Sequence, residues 1–318
     1  MTARDPFGLE VEGVLPLDVE HVGLEGAICV YLVEGDGPAL VDPGPSTCLP
    51  LLEERLQEAG IPLGDIRHLF LTHVHLDHAG AAGHLTRRNP ELTVHVHEDG
   101  APHMVDPERL VKSTRRTFGE AHDRLWGEVL PVPKSQVRGW RPGDGRPVPG
   151  IRPLHTPGHI GHHLAYEAER KGVLFSGDSM GIILAPDAPT HPPTPPPSVD
   201  LVAWEETLLR VLAPVEVDAF GATHFGLHPD LHGRRGQLWE RLTALAGRVK
   251  AAMAEGEGKE DRERYHTEVI ESLSRHVPDD RVPRYFETFP ARADWDGVHF
   301  FLERNPTWEP AEAGSGPG

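Results

Sequence analysis

Cysteine is scarce. Cys29 and Cys48 are the only two in 318 residues, too few for a disulfide framework or a zinc–thiolate cluster, though one bridge between them remains arithmetically open. Long apolar runs are missing as well: none approaches the ~18–20 residues of a membrane span, so no membrane partner is expected. Positive charge is in deficit, with 31 Lys and Arg against 49 Asp and Glu and a formal net charge of −18. A chain of that balance repels a phosphate backbone, which argues against nucleic-acid binding. The opening residues, Met1-Thr2-Ala3-Arg4-Asp5-Pro6, carry no apolar signal core, so the expected compartment is the cytoplasm. No repeat of solenoid or propeller period is visible.

What is abundant is histidine, with 21 residues, and clustered histidine is where metal sites arise. The frame around it alternates strand and helix. Strands are expected at 27–33, 39–41, 66–71, 92–96, 148–154, 164–167 and 172–175, with a last one at 217–220. Helices are expected at 46–59, where Gly60 is the stop signal, and at 79–88. Such alternation predicts an α/β class with helices covering sheets. Two stretches interrupt it. Residues 98–135 read as a mostly helical insert that carries Lys112, Arg115 and Arg116 on a solvated face. Residues 184–198 enclose seven prolines between Pro186 and Pro197 and read as a stiff, extended surface loop. After about residue 234 the pattern turns helical, with Leu238, Leu242, Leu245, Val249 and Met253 on one face and Tyr265, Val269 and Leu273 on another. Tyr285, Phe286, Phe289, Trp295, Phe300 and Phe301 follow as an aromatic stretch, readable as a lid, a dimer face or a local core. Residues 306–318 look like a frayed tail.

The strongest chemical signal is His73-x-His75-x-Asp77-His78, which should arise by chance roughly once in two hundred such chains. It follows an apolar strand, so its donors leave a rigid sheet edge. Imidazole nitrogen and carboxylate oxygen both suit a borderline cation such as zinc. Asp77 and His78 are adjacent and poorly placed to share one ion with both His73 and His75, so the spacing suggests two neighbouring ions. Further ligands are available at three other strand ends: His159 after Thr-Pro-Gly, Asp178 after Ser-Gly and His224 after Ala-Thr. Any one of these alone reads more naturally as a hydrogen-bonded loop residue; together with the cluster they favour a metal.

These seven residues, in this order, resemble the metal-binding motifs of the metallo-β-lactamase-fold superfamily. Asp42 in Val41-Asp42-Pro43-Gly44 resembles its first motif, and the match runs over roughly residues 15–230. The resemblance implies an αββα sandwich with the metals at one edge of the two sheets. It assigns His73, His75 and His159 to one ion, and Asp77, His78 and His224 to the other. Asp178 would bridge them, and Asp42 would orient a ligand from behind. True zinc β-lactamases differ at the Asp178 position or in the first cluster, so antibiotic hydrolysis is disfavoured. Flavodiiron-type members carry Glu where His75 stands. The tRNA-processing endonucleases need an RNA-holding surface that the −18 balance does not support. Glyoxalase II-like thioesterases and lactonases share the full ligand set. However, the charged stretch Gly258-Lys259-Glu260-Asp261-Arg262 mixes signs and makes no basic glutathione-binding segment.

The expectation is therefore a dinuclear metal hydrolase. Two divalent ions, zinc first with iron or manganese as alternatives, would share a bridging hydroxide, and Asp77 and Asp178 would act as the catalytic carboxylates. A small ester, thioester or lactone is the expected substrate. A phosphodiesterase or nuclease-type hydrolase, an iron-dependent sulfur dioxygenase and a non-catalytic metal-binding protein are the alternatives. Residues 1–234 would form the catalytic domain, with the insert and the Pro-rich loop as pocket walls. Residues 235–305 would form a helical extension packed on it, available for substrate access or a homodimer. Tyr166 could polarise a carbonyl but reads better as packing.

Overall fold

The computed structural model describes residues 8–35, 37–277 and 280–311. Short β-branched and aromatic runs punctuated by turns form two sheets. The first sheet is ordered β1 (Val14–Asp18), β2 (Cys29–Val33), β3 (Ala39–Val41), β4 (His68–Phe70), β5 (Thr93–His97) and β6 (Val137–Trp140). Its β1–β2–β3 part is antiparallel and its β3–β4–β5–β6 part parallel. The second sheet contains β7 (Ile151–His155), β8 (Leu164–Ala168), β9 (Val173–Gly177), β10 (Ala219–Ala222) and β11 (Gly226–His228), in the order β11-β10-β9-β8-β7. Only β9 and β10 pair in parallel there. β3 and β4 thus end on one edge, and so do β7, β9 and β10, the arrangement in which loops after strands gather into a site.

Three apolar layers hold the sheets and helices together. Between the sheets lie Tyr31, Phe70, Tyr166, Phe175 and Phe225, all buried, with Tyr31 on Phe175 at 5.1 Å and Phe70 on Tyr166 at 5.0 Å between ring centroids. Two phenols cross the interface. Tyr31 Oη reaches the carbonyls of Ala222 and Gly226 at 2.7 and 2.8 Å, and Tyr166 Oη those of Leu71 and His95 at 3.1 and 3.2 Å. Tyr166 is therefore a packing residue that pins the chain just before Thr72. The outer face of the first sheet is covered by α1 (Leu49–Glu58), through Leu49, Leu52 and Leu56, and by α3 (Ala82–Arg88), which follows the single turn α2 (Leu76–Ala79). The insert supplies α4 (Ala101–Val105), α5 (Glu108–Phe118) and α6 (His122–Trp126). Lys112, Arg115 and Arg116 are exposed on α5, where Arg115 pairs with Asp123 at 2.7 Å.

The outer face of the second sheet shares one core with α7 (Leu201–Glu206) and with all four C-terminal helices, α8 (Leu231–Glu255), α9 (Gly258–Leu273), α10 (Arg281–Thr288) and α11 (Ala291–Arg304). Leu238, Leu242, Leu245 and Val249 of α8 lie in the same cluster as Leu174 and Phe220 of the sheet. At about 1.5–3 kcal/mol per buried side chain, that docking is a large part of the fold's stability. The partner surface that the stripe requires is thus within the chain. Val202 and Met253 are the only exposed large hydrophobic residues among the described ones. The architecture is a helix–sheet–sheet–helix sandwich with a helical C-terminal region.

Several local expectations need correction. The stripe on α8 closes on Ala252, and Met253 faces solvent. α8 begins at Leu231 because the Asp230 side chain accepts the Gly233 N–H at 2.8 Å, an N-cap. The strand expected at 217–220 lies at Ala219–Ala222 and is followed by the short β11. The Pro-rich loop is a surface loop only in part: residues 186–187 and 196–198 are exposed, but residues 188–194 are buried, with His191 and Thr194 held by Asp294 of α11. Residues 306–311 are docked, with Trp308 against Phe301 at 5.5 Å and Lys250 paired with Glu309; the rest of the expected tail, 312–318, and the opening residues 1–7 lie outside the described residues. No disulfide joins Cys29 and Cys48. No helix among the described residues is long and apolar enough to cross a membrane.

Candidate metal centre

The strand ends gather eight of the residues that the sequence singled out. Asp42 follows β3, His73 and His75 follow β4, and Asp77 and His78 sit on α2. His159 follows β7, while Asp178 and His224 follow β9 and β10. His75 Nδ1 lies 2.9 Å from His73 Nε2 and 2.9 Å from His159 Nε2. A second group forms around Asp77 Oδ2, which is 3.3 Å from His224 Nε2 and 3.6 Å from His78 Nε2. Asp178 lies between the groups: Oδ2 is 3.3 Å from His159 Nε2, and Oδ1 is 3.3 Å from His78 Nε2 and 3.9 Å from His224 Nε2. Within each group of three, His73–His75–His159 and Asp77–His78–His224, the donor atoms lie within 4.8 Å of one another.

Local sequence explains the placement. Asp178 is preceded by Gly177 at φ +50°, where a Cβ would fall 2.5 Å from Thr72 Oγ1 and 2.8 Å from His163 Nε2. Asp42 itself holds φ 48°, a left-handed conformation uncommon for a residue with a Cβ, and is fixed by its contacts. Its carboxylate accepts the Thr72 N–H (2.8 Å) and the hydroxyls of Thr72 (2.7 Å) and Thr223 (3.0 Å), and it faces His78 Nδ1 at 2.8 Å.

Four imidazoles are gripped from behind by acceptors. His78 Nδ1 meets Asp42, His159 Nδ1 the Pro193 carbonyl at 2.8 Å, and His224 Nδ1 the Ala27 carbonyl at 2.7 Å. His73 Nδ1 meets Thr72 Oγ1 at 3.1 Å; that hydroxyl already donates to Asp42, so it accepts here. Each Nδ1 can therefore carry a proton, and each ring turns its Nε2 inward, as a lone pair once a cation replaces any proton there. Inward lone pairs facing carboxylates, with His75 Nδ1 able to give one proton to only one of two neighbours, are satisfied by a cation and by little else. His78 Nε2 and Asp178 Oδ1 are buried without a hydrogen bond. Burial alone would depress His78, yet the carboxylates of Asp178, Asp77 and Asp42 hold it well above the usual histidine range. Burial would likewise raise Asp178, but the charges of His78 and His159 hold it well below the usual carboxylate range. Positive charge is favoured on the carboxylate side of the pocket, whereas burial and the neighbouring imidazoles disfavour it on His73 and His75. Nitrogen and oxygen donors without thiolate fit borderline divalent ions.

A supporting shell lies behind these donors. His163 Nε2 accepts the Asp178 N–H at 3.2 Å and its Nδ1 meets Thr156 at 2.8 Å, while His162 Nε2 accepts the Val74 N–H at 3.4 Å. Thr72 and Thr223 each directly precede a histidine of the centre, a repeated Thr-His pair at a strand end that could have marked them. The Pro-rich loop is held by Asp294 of α11, which accepts the Thr194 N–H at 2.7 Å, faces His191 Nε2 at 2.8 Å and takes the Thr194 hydroxyl on its carbonyl at 2.9 Å. One residue away, Pro193 holds His159. The insert and the C-terminal helices meet beside His224, which has Phe289 and Tyr285 edge-on at 5.2 and 5.8 Å. Trp126 of α6 lies 5.9 Å from Phe289 and stacks on His21 at 5.2 Å.

This fold has known counterparts. Residues 23–224 match the model of the metallo-beta-lactamase superfamily, and the chain belongs to that superfamily. It is 29% identical over 189 residues to the probable metallo-hydrolase YqjP of Bacillus subtilis (strain 168), covering 54% of this chain and 58% of that protein. It is 26% identical over 159 residues to an atrochrysone carboxyl ACP thioesterase of Pseudocercospora fijiensis (strain CIRAD86), covering 49% and 38%. The chain spans about half the length of the curated relatives it matches. Its fold is shared with a metallo-beta-lactamase family protein of Thermus thermophilus, at TM-score 0.65, 23% identity and coverage of 94% and 96%. An archaeal superfamily protein of Sulfolobus tokodaii shares it at TM-score 0.57 and 21% identity, covering 74% and 87%.

Proposed function

We propose that the chain is a metal-dependent hydrolase with two divalent ions, zinc above iron or manganese, acting on a small ester, thioester or lactone. The observation that carries this reading is Asp178, whose two oxygens face the two donor groups separately. His73, His75 and His159 would hold one ion, Asp77, His78 and His224 the other, with Asp178 common to both and Asp42 orienting His78. Bound there, two such ions supply Lewis acidity and a hydroxide at neutral pH. The chain's residues do the rest. The Nδ1 contacts to Asp42, Ala27 and Pro193 keep the imidazoles aimed and in one tautomer. Asp77, whose side chain is 13% exposed against 5% for Asp178, is the more accessible carboxylate and would take the proton released as water attacks. The hydrolase and thioesterase names of the two relatives support the choice of reaction class. Metal analysis of the purified protein, with a panel of esters, thioesters, lactones and phosphodiesters assayed before and after chelation, tests it. Two equivalents of metal and chelator-sensitive acyl hydrolysis are expected. One iron with oxygen uptake, phosphodiester cleavage alone, or no metal under any loading would each replace this reading.

A further inference from the structure

The phenol of Tyr285 has no role in the reading above. It lies on α10, is 1% exposed, and its Oη makes no hydrogen bond to any described residue. A buried hydroxyl without a partner destabilises a fold, so its position calls for a partner absent from the chain itself. The ring stands edge-on to His224 at 5.8 Å and 79°, and is held by Phe289 at 4.9 Å and Phe286 at 5.3 Å. The contact with His224 sets the ring beside the second donor group, and a phenol ordinarily keeps its proton at neutral pH. Among the described residues no lysine or arginine pairs with Asp42, Asp77 or Asp178. A neutral donor without a nearby cation suits a neutral carbonyl oxygen better than a phosphodiester.

We propose that Tyr285 is a catalytic residue whose Oη donates a hydrogen bond to the carbonyl oxygen of the bound ester, thioester or lactone. The bond strengthens as that oxygen gains charge. Water's oxygen bonds to the carbonyl carbon while the π pair moves to the carbonyl oxygen. The pair returns as the C–O or C–S bond breaks, and the leaving oxygen or sulfur takes the proton that water gave up. Tyr285 retains its own proton throughout. The inference rests on the hydrolase reading, yet one arm of its test does not need turnover.

Tyr285→Phe in the full, zinc-loaded chain is compared with wild type on 4-nitrophenyl butyrate, and both are titrated calorimetrically with butylboronic acid, whose tetrahedral form places an oxygen where the charged carbonyl oxygen would sit. We expect kcat to fall about 10²–10³-fold with KM changed less than about threefold. Boronate binding should weaken by at least about tenfold, zinc content should be unchanged, and the thermal midpoint should be equal or higher, because an unpaired hydroxyl has been removed. A kcat within threefold of wild type, equal boronate binding by both proteins, or no boronate binding by either overturns the assignment. A midpoint lowered by several degrees would assign Tyr285 a structural role instead. If wild type hydrolyses no acyl substrate, the hydrolase reading fails, and weaker boronate binding by the variant would still support the Tyr285 contact.

Discussion

Two walls meet at the centre, and different physics holds each. The wall from the first sheet is fixed by charge. Asp42 gathers two hydroxyls, an amide and His78 at 2.7–3.0 Å in a place with no exposure. The wall from the C-terminal helices is fixed by apolar burial, with Asp294 as the single carboxylate tying it to the Pro-rich loop. A charge network fails when one atom changes, whereas an apolar face tolerates swaps of equal volume. The first wall therefore fixes ligand chemistry, and the second fixes shape and access.

The bluntest way to break that contrast is to remove the second wall. A chain ending after Asp230 exposes the partners of Leu238, Trp239, Leu242, Leu245 and Val249. Their combined burial, at about 1.5–3 kcal/mol each, approaches or exceeds the usual 5–15 kcal/mol of net stability. The expected result is an insoluble chain, read from the soluble fraction on expression. A soluble product with wild-type thermal midpoint would show the walls to be independent. Next in size, His78→Ala or Asp178→Ala should remove one ion and lower turnover at least about 10³-fold while leaving a folded protein. Metal content, circular dichroism and kinetics check this together, and near-normal turnover by either variant would rule out the two-ion mechanism.

A finer comparison sets one outer carboxylate against the other. Asp42→Asn should weaken metal binding about 10–100-fold, since it unseats His78 directly. Asp294→Ala should weaken it less, about tenfold or below, while costing about 2 kcal/mol of stability by stranding His191 and the Thr194 amide. Competitive chelator titration beside thermal melts separates the two, and the reverse order would mean that the Pro-rich loop governs the centre. An effect confined to acid pH concerns Asp18, at the end of β1. Burial raises the Asp18 carboxyl to about 6 against the backbone N–H bonds of Glu20 and Gly26 that lower it. A carboxyl with a raised folded pKa binds more protons folded than unfolded, so its contribution is lost as pH rises from about 4 to 6. Asp18→Asn should remove up to about 3 kcal/mol of that slope. Denaturant melts of both proteins at pH 4, 5, 6 and 7 should show their stability difference shifting over that window and level above it.

The αββα arrangement was legible because the candidate ligands sit on the segments that directly follow apolar strands, where pattern and chemistry coincide. Leu69-Phe70-Leu71 running into His73 is one such place, and Phe175-Ser176-Gly177 running into Asp178 is another. What escaped depends on contacts far apart in sequence. Nothing local in Pro192-Pro193-Thr194 signals that Asp294, a hundred residues later, buries it. Likewise the aromatic stretch from Tyr285 was visible as apolar surface, but its seat against His224 follows from the packing of α8–α11 on the second sheet. β6 and β11 were missed because three or four residues with few β-branched side chains carry no clear period.

The order of these parts along the chain sets a schedule for synthesis. A ribosome finishes the last ligand, His224, about 80 residues before the end of α11. At about 5–20 residues per second, that interval lasts on the order of 4–16 s. For about the first 60 of those residues the nascent polypeptide has every candidate donor, yet neither Asp294 to seat the Pro-rich loop nor Tyr285 and Phe289 to pack beside His224. Any metal captured then would enter a site still open to solvent and to competing ions, and the helices that cover it would arrive only afterwards.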